Sequence, residues 1–484
     1  MAMTSLEDSR GRVEALARRL DARLVETHIS WVLLAGHDAF KLKKPLRLPF
    51  LDYSTAEARR ACCLEEVRVN QRLAPRLYRG VLPVTATASG PVLGGEGPVV
   101  DHAVHMARFP EGALFSERLR AGRLDASQVD ALADLLARFH AQAPQAASAS
   151  AYGEPAQRRD RALAALERVS AVANAVQFEA LQGWLERQAQ GLQPQWEARR
   201  NGGLIREGHG DLHLANLIAL DGGIAAFDAI EFDASLRWID VFDDLAFAVM
   251  DFDAHGRRDL AFRLLNRWLD HLGGHADLAV LRFAVVYRAL VRAQVSALRG
   301  GTAEPSASAY LQTALHWTQP LPLRLTLMHG LPGSGKSWQS QRLLEQGAIR
   351  LRSDVERKRL AGLDMLADSQ AAGLDLYNRA SSERAYSHLL RQAAAVLEAG
   401  FPVVLDAAFL RRAERQAAGD LAAAHQVPCD IVSCEAPLPM LRERLLARRG
   451  DPSEATVAVL EQLADVAEPL DAQEQAITRV VHAG

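Results

Sequence analysis

The chain has 484 residues, too many for one ordinary domain, and a length of this order suggests about two to four units. With 49% hydrophobic and 24% charged residues, the composition is that of a globular protein and excludes a disordered or fibrous chain. A formal net charge of -3 offers no general basic footprint for duplex nucleic acid, although a local patch for an end or a single strand stays open.

Four cysteines, Cys62, Cys63, Cys429 and Cys434, form no C-x-x-C pair and read as small core residues of a protein in a reducing compartment. Residues 1–30 mix charges without an apolar signal core, and no apolar run approaches the ~18 residues of a membrane span. A cytoplasmic location without a membrane partner is therefore expected.

Arg12 to Leu20 has the periodicity of a short amphipathic helix. Ser30–Leu34 and Ala39–Lys43, around Gly36-His37-Asp38, read as a hairpin. Alternation puts Lys41 and Lys43 on one face of the second strand, so either can reach a phosphate while the other meets solvent. Ser54-Thr55-Ala56-Glu57 has the spacing of a capping box and opens a helix to about Leu73 that carries Glu65 and Glu66. A helix after a lysine-bearing strand is where a protein-kinase-like small lobe keeps its Lys–Glu ion pair, which makes Lys41 and Glu66 the candidates by position. Ala103–Phe109 is a further strand-like run, broken by Pro110-Glu111-Gly112 before a helix near Leu114. The arrangement resembles the hinge between two kinase lobes, where backbone groups near Met106 and Arg108 would hold an adenine. Ala143–Ala151, rich in alanine and serine, reads as a loop.

His209-Gly210-Asp211-Leu212-His213-Leu214-Ala215-Asn216 is followed by the apolar run Ile224–Phe227 and Asp228. An Asp five residues before an Asn lets one loop present a group that deprotonates a hydroxyl and a magnesium ligand, and a carboxylate after the next strand completes the metal site. Asp211, Asn216 and Asp228 take these roles. His209 and His213 as an i, i+4 metal pair form a rival reading, but no Glu follows His209 as H-E-x-x-H requires. Asp228, Glu231, Asp233, Asp240, Asp243 and Asp244 can also be read as a solvated acidic surface, which fits an Asp at the end of an apolar strand poorly.

With His209-Gly210-Asp211-Leu212-His213, Asn216 and Phe227-Asp228, residues 25 to 295 resemble the aminoglycoside and choline kinase family. The resemblance implies a two-lobed protein-kinase-like fold and an ATP- and magnesium-dependent transfer to a hydroxyl. No G-x-G-x-x-G precedes Lys41, and Ala229 departs from the D-F-G pattern. An aminoglycoside substrate does not follow from the resemblance.

From Asp259 to Arg299 apolar residues recur at three and four, as in the helical floor of a large lobe. Gly300–Pro305 breaks the run, a short helix follows, and Gln319-Pro320-Leu321-Pro322 is a stiff connector. The boundary is expected there, between a kinase-like domain at 1–318 and a second domain at 323–484.

The second domain opens with the apolar run Leu323–His329 and Gly330-Leu331-Pro332-Gly333-Ser334-Gly335-Lys336-Ser337, which fits G-x-x-x-x-G-K-[ST]. Such a loop cradles phosphates with its amides, and a helix over Trp338–Gln346 points its N-terminal dipole at them. Lys336 would contact the outer phosphates and Ser337 the magnesium. Ala348–Asp354 reads as a strand with Asp354 at its carboxyl end, placed to accept a proton, and Arg357 one turn on can hold an anionic group of the acceptor. The alternative for Asp354 is a plain N-cap. Phe401–Asp406 delivers a second carboxylate to the same edge, which suits Asp406 to ordering magnesium. Cys429–Cys434 is a further strand. The helix from about Leu438 carries Arg442, Arg444, Arg448 and Arg449, and Arg448 is the candidate for stabilising the transferred phosphoryl.

These features resemble small P-loop kinases, including zeta-toxin-like and polynucleotide 5′-hydroxyl kinases, over Leu323–Gly484. The expectation is an α+β kinase-like fold followed by an α/β P-loop kinase with a parallel sheet flanked by helices, both using ATP and Mg2+ on small-molecule hydroxyl acceptors. One alternative is a live C-terminal kinase regulated by a ligand-binding N-terminal pseudokinase; another is a polynucleotide 5′-hydroxyl kinase.

Overall fold

Alternating apolar residues build an antiparallel sheet in the N-terminal region, and short continuous apolar runs build a parallel sheet in the C-terminal region. The computed structural model describes residues 5–48, 51–300 and 305–482. Two compact units are formed, Met1–Glu154 with Glu197–Ala248, and Pro155–Trp196 with Val249–Gly484.

In the first unit α1 (Leu6–Arg19) starts earlier than the apolar periodicity predicts, because Ser5 caps it by accepting from the Asp8 amide and Glu7 and Asp8 occupy its first turn. It leads into β1 (Arg23–Glu26), β2 (Ser30–Ala35), β3 (Asp38–Lys43) and the short pair β4 (Arg47–Leu48) and β5 (Leu51–Asp52). Next come α2 (Ala56–Asn70), β6 (Tyr78–Thr87), β7 (Gly90–Leu93) and β8 (Val99–Ala107). The cap of α2 is Thr55, which accepts from the Ala58 amide at 3.1 Å, so the frame lies one residue later than the predicted box and Glu57 is not its reciprocal partner. The six strands order as β1-β2-β3-β8-β6-β7. Period-two alternation sends Phe40 and Leu42 into one core with Val13, Leu16, Trp31 and Leu33. Ala39 packs on the other face with Cys63 of α2, Val104 and Met106, and Lys41 and Lys43 share that face.

The chain continues through α3 (Phe115–Arg120), α4 (Ala126–Gln142), α5 (Pro155–Arg168) and α6 (Ala175–Asn201), then β9 (Ile205–Glu207) and a 3-10 turn at Leu214–Asn216. The hairpin β10 (Leu217–Leu220) and β11 (Gly223–Ala226) follows, then β12 (Trp238–Asp240), antiparallel to β9. Residues 143–151 contain no helix, as expected. Four helices come next: α7 (Val241–Ala254), α8 (Arg258–Leu272), α9 (Leu278–Leu298) and α10 (Ala307–Thr318). Gly273 and Gly274, at φ 75° and 91°, divide the predicted helical run between α8 and α9. Of the predicted break at Gly300–Pro305, residues 301–304 lie outside the described residues.

In the second unit β13 (Leu325–His329) is the central strand and passes through the phosphate loop into α11 (Lys336–Leu344). Then come β14 (Ile349–Arg352), α12 (Ser353–Leu360), α13 (Arg379–Glu398), β15 (Val403–Asp406), α14 (Arg412–Ala424) and β16 (Cys429–Glu435). The chain closes with α15 (Leu438–Ala447), α16 (Val457–Asp465), α17 (Ala472–Ala476) and β17 (Thr478–His482). The order β14-β15-β13-β16-β17 is parallel throughout. It reverses direction at β13, and the carboxyl ends there form the crevice in which such sheets bind ligands.

The compact units do not divide at the connector 319–322. Asn266 of α8 brackets the start of β14, donating to the Ala348 carbonyl at 3.0 Å and accepting from the Arg350 amide at 2.7 Å. Arg350 pairs with Asp270 at 3.0 Å, and Arg282 of α9 donates to the Ala399 carbonyl at 2.7 Å. Phe262, Trp317 and Phe401 pack ring on ring, with centroids 5.9 to 6.1 Å apart. Among the described residues no helix is long and apolar enough to cross a membrane.

Candidate functional site

Strand β3 brings two lysines to one carboxylate of α2. Lys41 donates to Glu66 at 2.8 Å and to Asp228 at 2.5 Å. Lys43, which alternation alone allows to meet solvent, is instead wholly buried and donates to Glu66 and Glu231. Burial opposes charge on Lys41, but the carboxylates of Asp228 and Glu66 outweigh it and hold the ammonium pKa well above its usual value. Burial likewise opposes ionisation of Asp228, and the neighbouring Lys41 outweighs it, so the carboxyl sits below its ordinary range. In this cluster three carboxylates face two ammonium groups, and the excess negative charge suits a cation at Asp228, whose side chain is 45% exposed.

Asp228 lies two residues past β11 at φ 62°, a left-handed conformation that costs a non-glycine residue about 1 kcal/mol or more. Its amide donates to the Tyr78 hydroxyl at 3.1 Å, and the Ala229 amide donates to Asn70 at 2.8 Å. The same loop positions the Asp211 segment, because the Phe227 amide donates to the Asn216 carbonyl at 3.0 Å. Asn216 donates its side-chain N–H to the Asp211 carbonyl at 3.0 Å and to its carboxylate at 3.2 Å. Asp211, Asn216 and Asp228 are thereby brought together.

Buried Asp244 anchors this loop, accepting the amides of His209 and Gly210, each at 2.8 Å, while His140 stands 3.1 Å from it. Gly210 has φ 86°, and a Cβ there would lie 2.7 Å from the Leu236 carbonyl oxygen, so only glycine fits. The acidic-surface reading fails for Asp240, Asp244 and Glu231, all buried; Asp240 is paired with Arg199 at 2.7 Å. The two-histidine metal reading fails as well. His209 Nε2 is 3.0 Å from the Phe227 carbonyl and its Nδ1 accepts the Asp211 amide at 3.2 Å, which leaves no ring nitrogen for a metal.

The hinge expectation needs correction. Met106 lies in β8, paired on both sides, and the Arg108 amide donates to the His37 carbonyl at 2.9 Å. An amide bonded to the β2–β3 turn is not available to an adenine.

In the C-terminal region a cavity of about 1200 Å³ is lined by Lys336, Ser337, Asp354, Arg357, Asp406 and Arg448. Gly333 and Gly335 also face it, whereas Ser334 is buried inside the turn. Gly330 has φ 132°, and a Cβ there would lie 2.4 Å from the Cys434 carbonyl oxygen, so the loop can cross the sheet edge only with glycine. Lys336 donates to the carbonyls of Gly330 and Leu331 at 2.8 and 2.9 Å, and burial pushes its pKa down.

Asp354 is not an N-cap: α12 is capped by Arg352, and Asp354 sits in the first turn, accepting from the Tyr377 hydroxyl at 3.3 Å. Arg357 donates to the Leu376 carbonyl at 3.1 Å, with its guanidinium 5.1 Å from the Tyr377 ring centre. Asp406 ends β15 buried, and its Oδ2 has no hydrogen-bond partner, with Arg352 Nε 3.6 Å away. An orphaned buried carboxylate oxygen on the wall of the cavity that Ser337 also lines fits a hydrated magnesium ion, with Ser337 and Asp406 as the residues to hold it. Among the described residues no group of three His, Cys, Asp or Glu could hold a metal, so phosphate and water oxygens would complete the shell. Of the arginines on α15, Arg442 pairs with Glu461 at 2.8 Å and does not line the cavity, whereas Arg444 does, reaching the Gly333 carbonyl at 3.4 Å.

Sequence reasoning missed Tyr377, Glu231 and Asp244 as site residues, and named Arg444 without singling it out.

Residues 325–470 match the family described as AAA domain. Over 450 residues the chain is 33% identical to Uncharacterized protein Rv2004c of Mycobacterium tuberculosis, covering 91% of this chain and 89% of that protein. Uncharacterized protein Mb2027c of Mycobacterium bovis matches to the same extent. The chain belongs to the Rv2004c family. Two partial likenesses to solved structures accompany this membership. A choline/ethanolamine kinase family protein from Mesorhizobium loti is similar at 12% identity and TM-score 0.37, over 65% of this chain and 94% of that one. A gluconokinase from Sinorhizobium meliloti 1021 is similar at 19% identity and TM-score 0.26, over 34% of this chain and 84% of that one. In this member of the Rv2004c family the matched domain at 325–470 contains the Gly330–Ser337 phosphate loop.

Proposed function

We propose that the protein is a two-centre phosphotransferase, each centre moving the γ-phosphate of ATP to a hydroxyl group of a small-molecule acceptor. The observation that carries the reading is that each region separately gathers a lysine and carboxylates, the groups that phosphoryl transfer uses. In the N-terminal centre Asp211 accepts the proton of the attacking hydroxyl, Asn216 and Asp228 hold magnesium, and Lys41, fixed by Glu66, holds phosphate oxygens. In the C-terminal centre the amides around Gly333 and Gly335 and the Lys336 ammonium hold the outer phosphates, and Asp354 accepts the proton. Arg357 orients the acceptor there, and Arg448 faces the charge that develops on the transferred group. Magnesium, when bound, supplies charge neutralisation on the phosphate oxygens. Four unpaired cysteine thiols support a cytoplasmic setting.

Isothermal titration of the full chain with magnesium and a non-hydrolysable ATP analogue tests the proposal, with two sites expected. A single site would overturn it in favour of a C-terminal kinase regulated by a ligand-binding N-terminal pseudokinase. One observation favours that second reading: the β1–β2 turn, where a kinase has its glycine-rich loop, uses its own amides. Thr27 N–H donates to the Ser30 carbonyl at 2.9 Å and Ser30 N–H to the Thr27 hydroxyl at 3.0 Å.

A further inference from the structure

Two ionic links, not one, tie the loop of the metal-binding Asp228 to helix α2. The outer link runs from Glu66 through Lys41 to Asp228. The inner link runs from the other oxygen of Glu66 through Lys43 to Glu231, three residues beyond Asp228. Tyr53 closes the inner link by donating its hydroxyl to Glu231 at 2.6 Å. Lys43, Glu66 and Tyr53 have no exposed surface, and Glu231 is 8% exposed. Arg237 grips the same loop from outside, donating to the carbonyls of Ile230 and Glu231, both at 3.3 Å, and pairing with Glu65 of α2.

A buried ion pair is a poor device for stability alone, since apolar residues of similar volume commonly serve as well or better. Its use beside a strained Asp228 calls for another account, because a left-handed aspartate persists only where its surroundings over-determine it. Lys43 holds one Glu66 oxygen and Lys41 the other, so the carboxylate that fixes Lys41 beside Asp228 is itself fixed by Lys43. We propose that Lys43 and Glu231 are positioning residues that fix Asp228 and Lys41 for magnesium-nucleotide, a role that rests on the kinase reading of the N-terminal region. They touch neither phosphate nor metal and act through the loop and through Glu66.

The test uses the full chain carrying Lys336→Ala, which silences the C-terminal loop, and a fluorescent ATP analogue titrated with and without magnesium. In this background Lys43→Met/Glu231→Leu, which replaces the inner link by apolar volume, is expected to keep its thermal midpoint and its affinity for metal-free nucleotide. The gain in affinity that magnesium brings should fall about tenfold. Lys43→Arg, which keeps the charge, should restore part of that gain. If the double variant keeps the full magnesium-dependent gain, the inner link only fills space and the proposal is overturned. If it unfolds, Glu231→Gln gives the same readout, because it removes the charge and keeps an acceptor for Tyr53. Asp228→Ala in the same background separates the two failures. Loss of the magnesium effect there but not in the inner-link variants defeats the positioning role alone, whereas no loss in Asp228→Ala defeats the N-terminal centre itself.

Discussion

Asp211 and Asp228 converge on one loop system but differ in what holds them, and their substitutions should differ accordingly. Asp211 is contacted by Asn216 and stands 3.4 Å from His213, whereas Asp228 is bonded to Lys41. Asp211→Ala is therefore expected to abolish N-terminal transfer while nucleotide binding persists, and Asp228→Ala to weaken magnesium-nucleotide binding as well. Turnover with a responsive acceptor and a binding titration separate the two, and unchanged turnover in Asp211→Ala would remove its assignment. Asp244 gives a pH-dependent prediction. Burial opposes its charge, but the hydrogen bond from His140 and the amide of His209 hold its pKa at about 2. A folded pKa below the unfolded value means stability that is present above the unfolded pKa and lost as pH falls through the folded one. Asp244 should thus contribute about 2 kcal/mol at neutral pH, fading between about pH 4 and pH 2. Asp244→Asn should flatten that limb of an acid-unfolding curve followed by circular dichroism, and an unaltered limb would contradict the account.

Helix α15 shows how an element sorts identical residue types. Its arginines look alike in sequence, yet the helix turns Arg442 outward to Glu461, while Arg444 and, just past its end, Arg448 line the cavity. Removing a donor aimed at developing charge costs about 100- to 1000-fold in kcat. Arg448→Ala is expected to show a loss of that order in C-terminal transfer, and Arg442→Ala almost none, since an exposed ion pair contributes little. Equal effects in a steady-state assay would refute the sorting. In α2, by contrast, two adjacent acids both act inward on the Asp228 loop, Glu66 through lysines and Glu65 through Arg237.

At the scale of the molecule, helices that sequence reading assigns to a kinase large lobe belong to the compact unit of the P-loop sheet. A fragment limited to 323–484 loses Asn266, Asp270 and Arg282 as partners and leaves Phe401 without Phe262 and Trp317. Its unfolding midpoint by scanning calorimetry should fall well below that of the same region in the full chain, and an equal midpoint would show these helices to be dispensable. The net charge of -3 bears on the acceptor. A polynucleotide kinase should bind oligonucleotides with an affinity that falls steeply with salt, through counterion release. Weak, salt-insensitive binding is expected here; tight, salt-sensitive binding abolished by Arg357→Ala would favour 5′-end phosphorylation instead.

Local chemistry was legible from the chain alone. The Gly330–Ser337 loop needs particular residue types at fixed spacing because backbone must approach backbone, so the signal is written in consecutive residues. The strands around it are continuous apolar runs because both faces of a parallel sheet are covered, and the Asp211–Asn216 spacing is short-range in the same way. Long-range pairing was not legible. Alternation could place Lys41 and Lys43 on one face of β3 but not disclose that Glu66 and Glu231 bury the second. Composition could not separate Asp244 from a solvated acid, because its partners His140 and the His209 amide lie 104 and 35 residues away. The hinge amide near Arg108 was expected to be free, and the compact unit was expected to end at a proline-rich connector; both depend on which carbonyl or ring folding brings alongside. Such proximity is set by tertiary packing, and no local pattern encodes it.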